Sequence, residues 1–156
     1  MDRSIESVLR FVNLSCAGLL AGSLGFGKSA LTPGWEGELG REQGAESTTP
    51  KYYNAIGPLA LATSIGLALG SQNTSRSRRT LDVVSAIGLV GVIATTTLGT
   101  VPINRQLEIS APSDYPRDEP TSLTKRWSRT HTTRTALGIS AFLCAAASAA
   151  LRPSRS

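Results

Sequence analysis

The stretch 52–72, YYNAIGPLALATSIGLALGSQ, carries no Asp, Glu, Lys, Arg or His. A helix needs about 20 largely apolar residues to cross a hydrocarbon core about 30 Å thick. A helix in a water-soluble bundle would show charge on its outer face at helical spacing, and this stretch has none on any face. It therefore reads as a membrane-spanning helix. Tyr52 and Tyr53 stand at its head, where amphipathic rings favour the membrane–water boundary. Pro58 falls near the start, where it does least damage to a helix. Gly66 and Gly70 form a GxxxG pair, a spacing that lets a second helix approach closely.

Three further runs flank it. Upstream, Val8–Gly27 (VLRFVNLSCAGLLAGSLGFG) has spanning length, with Arg10 near its start, where a long side chain can snorkel to the head groups. Asn13 inside this run is costly in lipid and is expected to bond another helix or line a site. A signal-peptide reading is opposed by Asp2 and Glu6, which offset Arg3 and Arg10, and no A-x-A-like site follows. Downstream, Leu81–Val101 (LDVVSAIGLVGVIATTTLGTV) has only Asp82 at its edge, and Thr95, Thr96 and Thr97 can bond back to the carbonyl ladder. Thr135–Leu151 (TALGISAFLCAAASAAL) is charge-free and rich in small residues that suit tight packing between helices. The expected fold is all-α: one domain over residues 1–156, a bundle of four transmembrane helices at about 8–27, 52–72, 81–101 and 132–151.

The overall hydrophobic content, 40%, is modest and by itself favours a soluble four-helix bundle. The distribution decides otherwise, because the polar residues are gathered into the connecting segments. Residues 28–51 hold Glu36, Glu38, Glu42 and Glu46 without helical periodicity and read as a long loop, with Trp35 as an interfacial anchor. Residues 102–126 form a second long polar loop, between helices 3 and 4. The short segments 1–7, 73–80 and 152–156 together carry six arginines against two acids, so the positive-inside rule places both termini in the cytoplasm. Lys and Arg total 16 against 11 Asp and Glu. No basic run alternates with aromatic residues, so the lipid bilayer, and not nucleic acid, is the expected charged partner. Cys16 and Cys144 lie inside apolar runs and read as small buried hydrophobes.

Gly22–Ser29, GSLGFGKS, fits the G-x-x-x-x-G-K-[ST] phosphate-loop pattern. That loop needs a buried strand before it and a helix after it. A spanning run precedes it here and Pro33-Gly34 follows too soon for a helix, so a nucleotide site is not expected.

The chemically capable side chains gather between Thr100 and Arg134. His131 is the only histidine and the one natural proton carrier near neutral pH. Trp127 lies four residues before it and Arg134 three after, so on a helix these three share a face. No second His or Cys stands at ligand spacing, which argues against a metal site. Asn104 and Arg105 follow the third run, either as a helix stop with Pro102 or as a polar rim at the bundle mouth. Lys125, Arg126 and Arg129 read as solvated or lipid-facing charges.

Four apolar runs, VPINRQL at 101–107 and RWSRTHTTR at 126–134 together resemble the anthrone oxygenase-like family of small membrane proteins. The layout covers the whole chain and the motifs about twenty residues of it. Thr100 stands where an Asn is frequent in the family, and His131 where Asn is common. The resemblance implies a cofactor-independent oxygenase, without flavin or metal, that oxidises a flat apolar aromatic (an anthrone) with O2. It implies His131 as base, Asn104 and Arg134 as stabilisers of the enolate oxygen, Trp127 stacking on the ring, and Arg105 as a lesser candidate for the oxygen. The competing reading is a non-catalytic membrane accessory protein whose polar loops contact a partner. Transport is disfavoured, since the spans lack central ion-relaying residues and four spans make a pore only as a homo-oligomer.

Overall fold

A computed structural model describes residues 2–26, 49–70, 75–103 and 122–151. The described residues fold into four long helices. Helix α1 spans Arg3–Phe26 and α2 spans Thr49–Gly70. Helix α3 spans Arg76–Thr95 and continues through a π-helical turn, Thr96–Thr100, to residue 103. Helix α4 spans Ser122–Ala150. Each helix packs on two neighbours, so the ring closes as α1–α2–α3–α4–α1, with α3 against α4 the most extensive seam. The chain alternates direction, which gathers both termini at one end of the bundle.

All four helices are long and apolar enough to cross a membrane: Ser4–Gly25, Tyr53–Gly70, Arg76–Ile103 and Lys125–Ala150. The surface confirms the solvent. Phe11, Leu19, Leu69, Ile87, Leu98 and Leu143 are exposed, while Asn13, Ser64, Asp82, Ser85, His131 and Ser148 are buried. A bundle in water would have to hide those aliphatic side chains. In lipid they are solvated, and the polar groups turn inward to each other. The protein is an integral, multi-pass membrane protein, and the soluble alternative is excluded by this inside-out distribution.

The polar interior is bonded throughout its middle. Asn13 Nδ2 lies 3.0 Å from Ala60 O, 3.1 Å from Thr63 Oγ1 and 2.6 Å from Ser64 Oγ, so its two N–H groups tie α1 to α2 as the sequence suggested. Thr95, Thr96 and Thr97 donate to Gly91, Val92 and Ile93 carbonyls at 2.7–3.0 Å, the back-bonding expected of hydroxyls in lipid.

Close helix approach occurs elsewhere than at Gly66 of the GxxxG pair. At Gly66 an added Cβ would meet only Leu9 Cδ1, at an ordinary 3.9 Å. At Gly88 it would sit 3.0 Å from Ala141 Cβ and 3.3 Å from Leu137 O, so the α3–α4 seam is where a side chain has no room. Ala141 on α4 meets Gly88 on α3, and that face-to-face pairing, not spacing within one helix, sets the approach.

At the end holding the termini, charge is buried and fully matched. Arg10 is 10% exposed at its side chain and does not snorkel outward. Its Nε donates to Glu6 Oε1 at 2.9 Å, and its two terminal nitrogens reach the two oxygens of Asp82 at 3.2 Å each. Arg78 pairs with Glu6 at 3.3 Å and donates from Nε to Ser148 O at 3.0 Å. Ser148 Oγ donates to Asp82 at 2.5 Å. Two arginines and two carboxylates from α1 and α3 thus neutralise one another, with α4 supplying a hydroxyl. The dry surroundings explain the inward turn: a carboxylate that close outweighs the head groups for a guanidinium.

The fourth helix begins about ten residues before the expected 132. Residues 122–131 are Ser, Thr and Arg-rich and look like loop by composition. Thr130, Thr132 and Thr133 instead donate to carbonyls four residues back, at 2.9–3.1 Å, so the polar side chains fold onto their own helix. Pro58 lies well inside α2, not near its start.

Candidate functional site

The end opposite the termini is formed by the last turns of α1 and α3 and the first turns of α2 and α4. Its geometry starts with Gly99. A Cβ there would lie 2.7 Å from Thr130 Cγ2, so only glycine lets the π-helical turn of α3 rest against α4. Such turns insert an extra residue in a helix and re-aim the side chains that follow. Here Thr100 and Ile103 are directed inward and buried. On the α1 side, Thr135 donates to His131 O at 2.9 Å and lies 3.4 Å from Leu24 O.

Within this frame α4 brings Trp127, His131 and Arg134 onto one face, as their spacing predicts. The Trp127 and His131 rings stack with centroids 4.9 Å apart and planes 6° from parallel. Arg134 contacts His131 Nδ1 through a terminal guanidinium nitrogen at 2.7 Å. Its guanidinium carbon lies 5.8 Å from the centroid of the Tyr53 ring, a cation–π contact from α2. His131 is 5% and Arg134 8% exposed, which places both inside the protein and not on its rim.

The charge balance here differs from the other end. Among the described residues no carboxylate pairs with Arg134, and its Nε is buried without a hydrogen-bond acceptor. A buried cation that meets, among the described residues, an imidazole and an aromatic face keeps charge and N–H groups that those residues do not spend. Such a centre can bind an anionic oxygen.

The Arg134 contact also fixes a proton. A guanidinium has donors and no lone pair to give, so Nδ1 must accept. The neutral ring then carries its proton on Nε2. The ring nitrogen that accepts is then the one facing Arg134. One face of the Trp127 ring is covered by His131.

Asn104 and Arg105 lie outside the described residues, as do Trp35 and most of residues 102–126. Lys125, Arg126 and Arg129 are exposed, in line with the solvated reading. Tyr53, expected only as an interfacial anchor, reaches the candidate site through its contact with Arg134 across the bundle, which no local sequence pattern would have revealed. The phosphate-loop match is excluded as such a loop, because Gly22–Phe26 are the helical end of α1 and no strand occurs among the described residues.

Two surface hollows sit away from this site. One is lined by Arg76, Arg79, Thr80, Val83 and Val84, the other by α2 and α3 side chains including Ile65, Leu69, Ile87 and Val90. Neither touches His131.

A family model described as anthrone oxygenase matches residues 50–144, more than half of the chain. No curated protein and no solved structure matches it.

Proposed function

The chain belongs to the anthrone oxygenase family, and on that premise we propose that it is a cofactor-independent membrane oxygenase that converts a flat, anthrone-like ring system to the quinone with O2. The balance is simple. The ring methylene loses a proton and its electron pair spreads onto the carbonyl oxygen. The carbanion adds O2, and the resulting hydroperoxide breaks its O–O bond. One oxygen stays on carbon as the new carbonyl, and the other leaves as water with the two methylene hydrogens. The protein's part is to hold the aromatic and stabilise the oxygen that gains charge.

The observation that carries this reading is Arg134: a buried guanidinium with no carboxylate partner among the described residues, beside a histidine and two aromatic rings. In this reading Arg134 binds the enolate oxygen, and Trp127 borders the ring system. Asn104 and Arg105, next in the chain after buried Ile103, add donors. Helix length supports an entry point at the membrane boundary. The 29 residues of α4 extend about 44 Å at 1.5 Å per residue, against a hydrocarbon core of about 30 Å. With Ala150 at one boundary, His131 falls near the other, where an apolar substrate partitions. The arginines of segments 73–80 and 152–156, under the positive-inside rule, support a non-cytoplasmic side for the site end.

The test is turnover of anthrone by detergent-purified protein under 18O2. One labelled oxygen per quinone, formed faster than autoxidation, is expected. A rate no greater than protein-free buffer contradicts the proposal.

A second reading, a non-catalytic accessory subunit, is favoured by one observation: the surface hollows lie away from His131, and the α3–α4 seam is closed by glycine and alanine contacts. It predicts no quinone under any condition of the same assay.

A further inference from the structure

We infer that His131 serves the substrate as a hydrogen-bond donor through Nε2–H, not as the proton-abstracting base, and that Arg134 is the positioning residue that holds it in that form. This deepens the oxygenase reading and rests on it for the bound group, an enolate or phenolate oxygen on a flat aromatic.

The argument begins with what each group can do. Arg134 offers only N–H donors, so the 2.7 Å contact makes Nδ1 an acceptor and leaves the ring proton at Nε2. A base needs an open lone pair. The only one on this ring faces a guanidinium, in a place where both residues are buried. Taking up a second proton would set an imidazolium against that guanidinium at 2.7 Å. The ring is also held in orientation. The Trp127 stack fixes its plane and the Arg134 contact fixes its rotation in that plane. A ring so fixed aims one N–H in one direction, which is the property of an oxyanion donor.

Arg134 is suited to its part for the same reason. Its charge is cushioned by the Tyr53 face and its Nε has no acceptor among the described residues. A ring carbonyl oxygen placed beside the pair meets the charge of Arg134 and a directed N–H from His131. The methylene C–H bond then breaks with its electrons moving to that oxygen, and the proton passes to hydroxide at the membrane boundary, giving water.

The single histidine makes the test clean. The full chain, labelled with 15N-histidine and held in detergent, gives one pair of ring signals. The expected result is a protonated Nε2 and an unprotonated Nδ1 near neutral pH, with the Nε2 signal moving when 1,8-dihydroxyanthraquinone is added. Arg134→Met is expected to release the ring into a mixture of tautomers, and Arg134→Lys to restore the single form. A wild-type ring protonated at Nδ1, or at both nitrogens, overturns the inference, as does an Nε2 signal that ignores the quinone. Turnover supplies the second arm. His131→Asn keeps an acceptor and an N–H donor but cannot carry a proton, and it is expected to stay within about tenfold of wild type. His131→Leu is expected to lose about a hundredfold. Equal loss in both variants contradicts the donor role. If wild type turns over no anthrone while the tautomer and the quinone-induced shift stand, the oxygenase reading fails and the donor assignment is upheld.

Discussion

At one end of the bundle Arg10 and Arg78 meet Glu6, Asp82 and Ser148 in a closed set of ion pairs and hydrogen bonds. At the other, Arg134 meets a histidine nitrogen and the face of a tyrosine. Both ends bury arginine in a molecule whose solvent is lipid. The first set neutralises itself and needs nothing more. The second, among the described residues, keeps a charge and an N–H in reserve, a cost that folding alone would not retain. Burial of charge is therefore not the sign of a site. Burial of charge without its counter-charge is the sign, and it separates an arginine that holds helices together from one that waits for a ligand.

The comparison is broken most forcefully at the matched end. Asp82→Ala leaves Arg10 and Arg78 sharing the single carboxylate of Glu6 in the interior and removes the acceptor of Ser148, and is expected to cost about 3–5 kcal/mol. Thermal unfolding in detergent measures this. The double variant Arg10→Met/Asp82→Leu, which removes both charges, is expected to recover most of the loss. If Asp82→Ala unfolds like wild type, the matched end is not a structural clasp.

At the other end the same kind of change should act on rate instead of stability. Arg134→Met removes a buried cation that has no carboxylate partner among the described residues, so its melting temperature should hold or rise. Its anthrone turnover should fall by about 10²–10³-fold, the usual effect of losing an oxyanion donor.

Smaller effects sharpen the frame that holds the two ends apart. Gly88→Val forces a side chain against Ala141 and the Leu137 carbonyl, an overpacking of about 1–3 kcal/mol in the same unfolding measurement. Asn13→Ala removes the α1–α2 tie and leaves Ala60 O and two hydroxyls to their own helix, at about 1 kcal/mol. Gly66→Ala, in the GxxxG pair, meets only ordinary contact with Leu9 and should change stability by less than about 0.5 kcal/mol.

These differences also show what a chain discloses before it folds. The four helices were legible because a charge-free stretch such as 52–72 leaves no outer face for water. The start of α4 was not, because hydroxyls that bond back to their own helix look like loop residues until the backbone is seen. Trp127, His131 and Arg134 were legible as a set, since four- and three-residue spacing puts them on one helical face. Tyr53 was hidden by its place at the head of a span, which suggested an anchor. Arg10 and Asp82 were hidden by seventy-two residues of separation, since pairing across helices has no local signature. The His131 tautomer lay beyond any sequence argument, because it depends on which ring nitrogen Arg134 reaches.

Turnover per folded molecule, measured on Arg134→Met beside Arg10→Met/Asp82→Leu, tests the division between the two ends most directly. The account predicts near wild-type quinone formation from the double variant and about a hundredfold less from Arg134→Met. Equal turnover in Arg134→Met and wild type, or loss confined to the double variant, would contradict it.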